Sequence, residues 1–332
     1  MKKMALAVAM IGLFAATRFT SGQTRNMFID HSDYGEIVHV LPSEGAIAAT
    51  HDPLRRFANV SKKTVVYPPS YGSGKLIDHG GLEMGNAGFI AIYWNSSVAN
   101  SNKTSLGYAT IKAELTAFVN NFPNNTNYSG STTDDYEIIQ QYGSTTPIAN
   151  TLRNVGVFVD TQATKSAISD ASIRSYLAGL FNLGRVLPSR DTIFGVYLPP
   201  GMKVTLQGGS SCSSFCGYHG SFNYGGMAIK YAAFPFLDCP ACKLSTLSVA
   251  DMLTIVTSHE IREAVTDPGD NGKYAWYDAA GYEADDKCAW HNLYQMTRGG
   301  FWVQPEYSNG GTRTASGFTA TYPGPGCVVP NR

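Results

Sequence analysis

Charge is scarce in this chain. Lys, Arg, Asp and Glu make up only 15% of its 332 residues, and 25 basic side chains balance 25 acidic ones. Without a basic excess there is no surface to neutralise phosphates, which argues against a nucleic acid or an acidic membrane as partner. Long apolar runs are missing too: after the first residues, no stretch approaches the roughly 20 apolar residues that a membrane span needs. Several catalytic fingerprints are also absent. There is no Gly-x-Ser-x-Gly elbow and no glycine-rich phosphate or dinucleotide loop. Ser258 sits within a helical pattern, where its hydroxyl bonds its own backbone rather than serving as a nucleophile.

What is plentiful is neutral polarity, with 34 Gly and 19 Tyr among abundant Ser, Thr and Asn. That balance suits an exported protein. Lys2 and Lys3, the apolar run 5–16 and the small residues around Thr20, Ser21 and Gly22 predict a signal peptide over 1–22. The remainder, 23–332, shows no repeat or composition break and reads as a single secreted domain. Six cysteines (Cys212, Cys216, Cys239, Cys242, Cys288 and Cys327) fit an oxidising compartment and suggest three disulfides, whose pairing sequence cannot choose. Cys239-Pro-Ala-Cys242 leaves a zinc knuckle or a redox pair open as alternatives.

Residues 23 to about 75 alternate short apolar runs with Pro, Gly and Ser and read as an irregular extended entry. The continuous apolar runs 88–94, 155–159 and 193–198 predict strands. Helical spacing predicts helices over 108–122 and 170–183. Ser248 and Asp251 form a capping box that opens a third helix, which Asp267-Pro268-Gly269 stops. The tail beyond 276 suggests short strands and ordered loops. Strands alternating with helices predict an α+β fold, a mixed β-sheet with helices packed on it, stabilised by disulfides.

The third helix carries the chemistry, in the pentapeptide His259-Glu260-Ile261-Arg262-Glu263. His259 and Glu263 leave the same face one turn apart, and Glu260 lies about 100 degrees round from His259. This is the geometry of a zincin-like active-site helix, with a carboxylate in the second ligand position. An ordinary salt-bridged amphipathic helix produces the same pattern. Nineteen residues separate Glu263 from Glu283, a gap like that of thermolysin-type enzymes, whose third ligand is a glutamate on a neighbouring helix. Asp286 competes with Glu283 as ligand, or orients His259 from behind. Glu260 is then the general base, and Tyr218 or His219 the group that steadies an oxyanion. Asp267, Asp270, Asp278, Asp285 and Asp286 crowd the same stretch, which makes calcium a competitor to zinc. His79 faces either a cleft or solvent, His291 reads as structural, and His31, His39 and His51 show no partner pattern.

Several blocks resemble, in order, those of the plant EXORDIUM or phosphate-induced protein family. They are His79-Gly80-Gly81 ahead of Ile92-Tyr93-Trp94; Val196-Tyr197-Leu198, then Cys212-x-x-x-Cys216-Gly217-Tyr218-His219-Gly220; and Asp238-Cys239-Pro240-Ala241-Cys242. Ser258-His259-Glu260-Ile261-x-Glu263-Ala264-x-Thr266-Asp267-Pro268 and Glu283-Ala284-Asp285-Asp286-Lys287-Cys288 complete the set. The leader looks bacterial. The resemblance implies secretion to the cell wall or medium, and that Glu263 belongs to the pattern rather than replacing a histidine. The cysteine pair is one residue shorter than the family's, and Asp267 stands where the family has Asn.

Two functions follow as expectations. One is a secreted zinc-dependent, metallopeptidase-like hydrolase acting on an extracellular polypeptide or cell-wall polymer. Its ligands would be His259, Glu263 and Glu283 or Asp286, with Glu260 as base. The other is a non-enzymatic wall-binding protein with a structural zinc or calcium ion, in which Trp94, Trp276, Trp290 and Trp302 either stack on sugars or fill the core.

Overall fold

A computed structural model describes residues 26–48, 57–58, 63–123, 135–315 and 318–330; the expected signal peptide lies outside them. Seven strands form the central sheet: β1 (Ile29–His31), β2 (Ile37–Pro42), β3 (Gly88–Tyr93), β4 (Arg153–Val159), β5 (Thr192–Tyr197), β6 (Phe215–Tyr224) and β7 (Met227–Phe234). Their spatial order is β1-β2-β6-β7-β5-β3-β4. The first four in that order pair antiparallel. From β7 onward the pairing is parallel. Parallel strands are covered on both faces, which is why β3 and β5 read as unbroken apolar runs and are buried throughout.

Three helices flank the sheet: α1 (Ile111–Asn121), α2 (Asp170–Asn182) and α3 (Val249–Thr266). α1 and α3 pack on one face with Phe89, Ala91 and Tyr93. α2 packs on the other with Ile90, Ile92 and Trp94. Side-chain caps from Thr110, Ser169 and Ser248 set the helix starts, and Ser248 with Asp251 forms the expected capping box. The mixed sheet with packed helices is therefore as expected. Because α1 and α2 connect parallel strands, the architecture is mixed α/β rather than segregated α+β.

Residues 23–75 require a correction. β2 is an inner strand, paired with both β1 and β6. Val38 and Val40 face the α2 side, while Leu41 joins the α3 side, the period-two alternation of a strand. The β6–β7 hairpin turns at Gly225 and Gly226, both at positive φ (59° and 83°), as a two-residue hairpin turn demands.

The cysteines pair as Cys212–Cys239, Cys216–Cys242 and Cys288–Cys327. Cys239 and Cys242 thus have separate partners around β6, and form neither a redox pair with each other nor a zinc knuckle. Such bonds point to an oxidising compartment. Among the described residues no helix is long and apolar enough to cross a membrane.

The Cys288–Cys327 bond spans 39 residues and ties the segment ahead of Cys288 to the C-terminal strand Gly326–Val329. Replacing both cysteines by alanine is expected to lower stability by about 4 kcal/mol, on the loop-entropy relation for that span. Chemical denaturation of the otherwise oxidised protein checks it; a loss under about 1 kcal/mol contradicts the role given to this bond.

Candidate metal centre

α3 is buried along its whole length, so its polar side chains must find partners inside the protein. Ser258 Oγ donates to Ile255 O (2.7 Å), the intrahelical bond expected of it. Thr257 Oγ1 lies 3.0 Å from the Tyr197 hydroxyl. Arg262 is clamped by Asp285 and by Glu306, the latter at 2.7 Å. His259, Glu260 and Glu263 face a different neighbourhood, to which the described residues bring histidines and carboxylates.

Two strands complete that neighbourhood. His39 on β2 and His219 on β6 are direct cross-strand partners. Their rings stack with centroids 5.4 Å apart and point at α3. Next to His219, Gly217 lets helix and sheet close up, since a side chain there would collide with Val256 and crowd Glu260. The fourth contribution is the loop before the short 3-10 turn Asp286–Cys288. Glu283 lies in this loop, not on a neighbouring helix as the thermolysin-like gap suggested. The Asp278 carboxylate accepts from the amides of Ala280 and Tyr282, bending the chain into a turn instead.

The distances are short. His259 Nε2 lies 3.0 Å from Glu263 Oε2 and 3.7 Å from Asp286 Oδ1. His39 Nδ1 lies 2.6 Å from Glu283 Oε2, which is 3.7 Å from His219 Nε2. His219 Nδ1 bonds Glu260 Oε2 at 3.0 Å. Backbone amides fix the acids: Asp286 N donates to Glu263 Oε1 (2.8 Å) and Glu283 N to Asp286 Oδ2 (3.0 Å). Three sets have ligand atoms within 4.8 Å of one another: His39, Glu283 and Asp286; His219, Glu263 and Glu283; His259, Glu260 and Glu263. Several inward atoms have no hydrogen-bond partner, among them His219 Nε2, both His259 ring nitrogens, Glu263 Oε2 and Asp286 Oδ1. Gln304 interacts with the His259 ring. Its amide nitrogen is committed to the Asp285 backbone and carboxylate.

Burial dominates the electrostatics. It raises the carboxyls of Glu260, Glu263, Asp267, Glu283 and Asp286 well above their ordinary range, and neighbouring acids raise them further. Burial also lowers the histidines, His259 to about 3. A divalent cation reverses the balance, because it needs the acids ionised and the imidazoles neutral.

Every expected site residue (His259, Glu260, Glu263, Glu283, Asp286 and His219) meets in this one cluster. Asp267, at the end of α3, is beside it. The other acids are committed elsewhere: Asp270 faces Lys230 (3.5 Å), Asp278 pairs with Lys287 (2.6 Å) and Asp285 with Arg262. Tyr218 is not an oxyanion group here. It lies on the opposite face of β6 and donates to Asp170 at 2.8 Å. His79 is exposed and stacks on Tyr277, while His291 contacts the Tyr71 hydroxyl. Trp94, Trp276 and Trp290 are core residues and Trp302 is half-buried. His39 is the residue that sequence reasoning missed; its signal was the β-branched run Ile37-Val38-His39-Val40.

Access to the cluster is narrow. A cavity of about 10 Å³, room for roughly one water, touches His39, His219, Asp267 and Tyr274. It shares Ile37, Ser221, Gly269 and Tyr274 with a groove of about 120 Å³ that also meets Glu36 and Asn223. Comparisons with protein-family models, curated proteins and solved structures find no match for this chain.

The pKa directions fix a sign for pH dependence without metal. The raised acids contribute stability below about pH 4.5 that is lost as pH rises through their folded values. The lowered histidines contribute above about pH 6.5 and lose it as pH falls. Above about pH 7 only the acid contribution still changes, so chelated protein should weaken as pH rises. Urea midpoints at about pH 7 and 9, with chelator and with zinc, should show a gap that widens with pH. A gap that narrows contradicts the assignment.

Proposed function

We propose that this chain is a secreted, EXORDIUM-like metalloprotein whose buried His-carboxylate cluster holds zinc and hydrolyses an extracellular polypeptide or cell-wall polymer. One observation carries the reading: among the described residues three imidazoles and five carboxylates are buried together, and Arg262, the cation that acts on His259, is already engaged by Asp285 and Glu306. Carboxylates in such a setting are strongly disfavoured unless a cation neutralises them. The three nitrogen donors favour zinc, since calcium takes oxygen ligands.

The arrangement supports a zincin-like division of labour. His259 and Glu263 are one turn apart on α3, with Glu283 and Asp286 supplied by the following loop. Zinc would supply an acidified water and polarise a substrate carbonyl. Glu260 holds His219 through Oε2 and keeps Oε1 unpartnered, available to take a proton. The groove at Ser221, Gly269 and Tyr274 is the approach for a substrate, its walls mixing apolar Ile37, Phe222 and Ala228 with polar Ser221 and Asn223 and one acid, Glu36.

The second reading, a structural ion in a non-enzymatic protein, draws on the complete burial of His259, Glu260 and Glu263. Glu260→Gln separates the two. The hydrolase should keep its zinc and lose turnover on unlabelled or dye-labelled polymer substrates by about 100-fold or more, the scale of one general base. No turnover in zinc-loaded wild type favours the structural ion, whereas unchanged turnover in the variant removes Glu260 as the base.

A further inference from the structure

We infer that the cluster is dinuclear, with a second divalent cation held by His39, His219 and Glu283 beside the one at His259 and Glu263. This rests on the metal reading above and extends it to residues outside the His-Glu-x-x-Glu pattern.

Donor number is the first argument. Eight side chains converge: His39, His219, His259, Glu260, Glu263, Asp267, Glu283 and Asp286. A single zinc uses about four. Their layout also separates. His259 Nε2 and Glu263 Oε2 form one close pair at 3.0 Å. His39 Nδ1 and Glu283 Oε2 form another at 2.6 Å, with His219 Nε2 3.7 Å from the same Glu283 oxygen.

Asp286 belongs to both. Its Oδ1 is 3.7 Å from His259 Nε2, and one of its oxygens lies within 4.8 Å of the ligand atoms of His39 and Glu283. A carboxylate so placed is the bridge that two-metal sites use to hold ions about 3.5–4 Å apart. Glu263 is likewise shared between the sets of His259 and His219. The histidines are oriented for this. Glu260 engages His219 at Nδ1, which turns the unpartnered Nε2 toward Glu283.

Charge balance gives the same answer. One divalent ion against five ionised carboxylates leaves three negative charges buried, whereas two ions leave one. The nearest arginine offers no relief, because Arg262 is already matched by Asp285 and Glu306. The second ion would lie on the side of the narrow cavity bordered by His39 and His219, facing the groove.

The test is stoichiometry on the full oxidised chain, stripped with chelator, reloaded with Zn²⁺ and counted by plasma mass spectrometry. Two equivalents are expected for wild type and one for His39→Gln. One equivalent in wild type overturns the second ion and leaves the metal reading standing; none overturns both. A readout independent of any variant comes from wild type loaded with Mn²⁺. An exchange-coupled paramagnetic resonance spectrum is expected, and an isolated-ion signal at saturation overturns the proposal.

Discussion

The molecule is organised around the desolvation of ionisable groups. α3 passes through the core with no solvent-facing side, so an ordinary hydrophobic stripe cannot account for it. Its polar residues divide into two arrangements. Arg262 meets Asp285 and Glu306, a buried set that carries its own counter-charges. His259, Glu260 and Glu263 meet further histidines and acids. The first arrangement has a cation of its own, while the second is favourable when its acids stay protonated or when a cation replaces the protons.

The rest of the fold keeps that second arrangement in place. Antiparallel register sets His39 opposite His219, and the pleat sends both toward α3. Gly217 permits close approach of the helix. Cys216–Cys242 fastens β6 to the loop leading into α3, and Cys288–Cys327 anchors the loop that carries Glu283 and Asp286. The Trp290 indole donates to Pro42 O at 2.8 Å, joining that loop's far end to β2. Four separate stretches of chain are thus held around one small volume, as a preorganised site requires.

The legible part of the sequence was local. Apolar runs located β3, β4 and β5, caps and spacing located the three helices, and the i, i+4 pair on α3 gave the start of the cluster. Asp270, Asp278 and Asp285 looked equivalent to Asp267 and Asp286 because their basic partners, Lys230, Lys287 and Arg262, are set by tertiary placement. His39 was hidden for a similar reason. It is 180 residues from its partner His219, and it interrupts in β2 the kind of continuous apolar run that marks β3 and β5. The β6–β7 hairpin did carry a local sign, Gly225-Gly226 between two alternating aromatic and aliphatic runs. Which face His219 would take, and that Tyr218 would turn away from it, depended on the register that hairpin adopts.

The central claim is that imidazole and carboxylate groups of this cluster hold a metal. Zinc-edge X-ray absorption on the purified, oxidised protein tests it most directly. The account predicts a first shell of nitrogen and oxygen only, at about 2.0–2.1 Å, with the outer-shell scattering of imidazole. A folded protein that takes up no zinc, or a shell containing sulfur at about 2.3 Å, would contradict it.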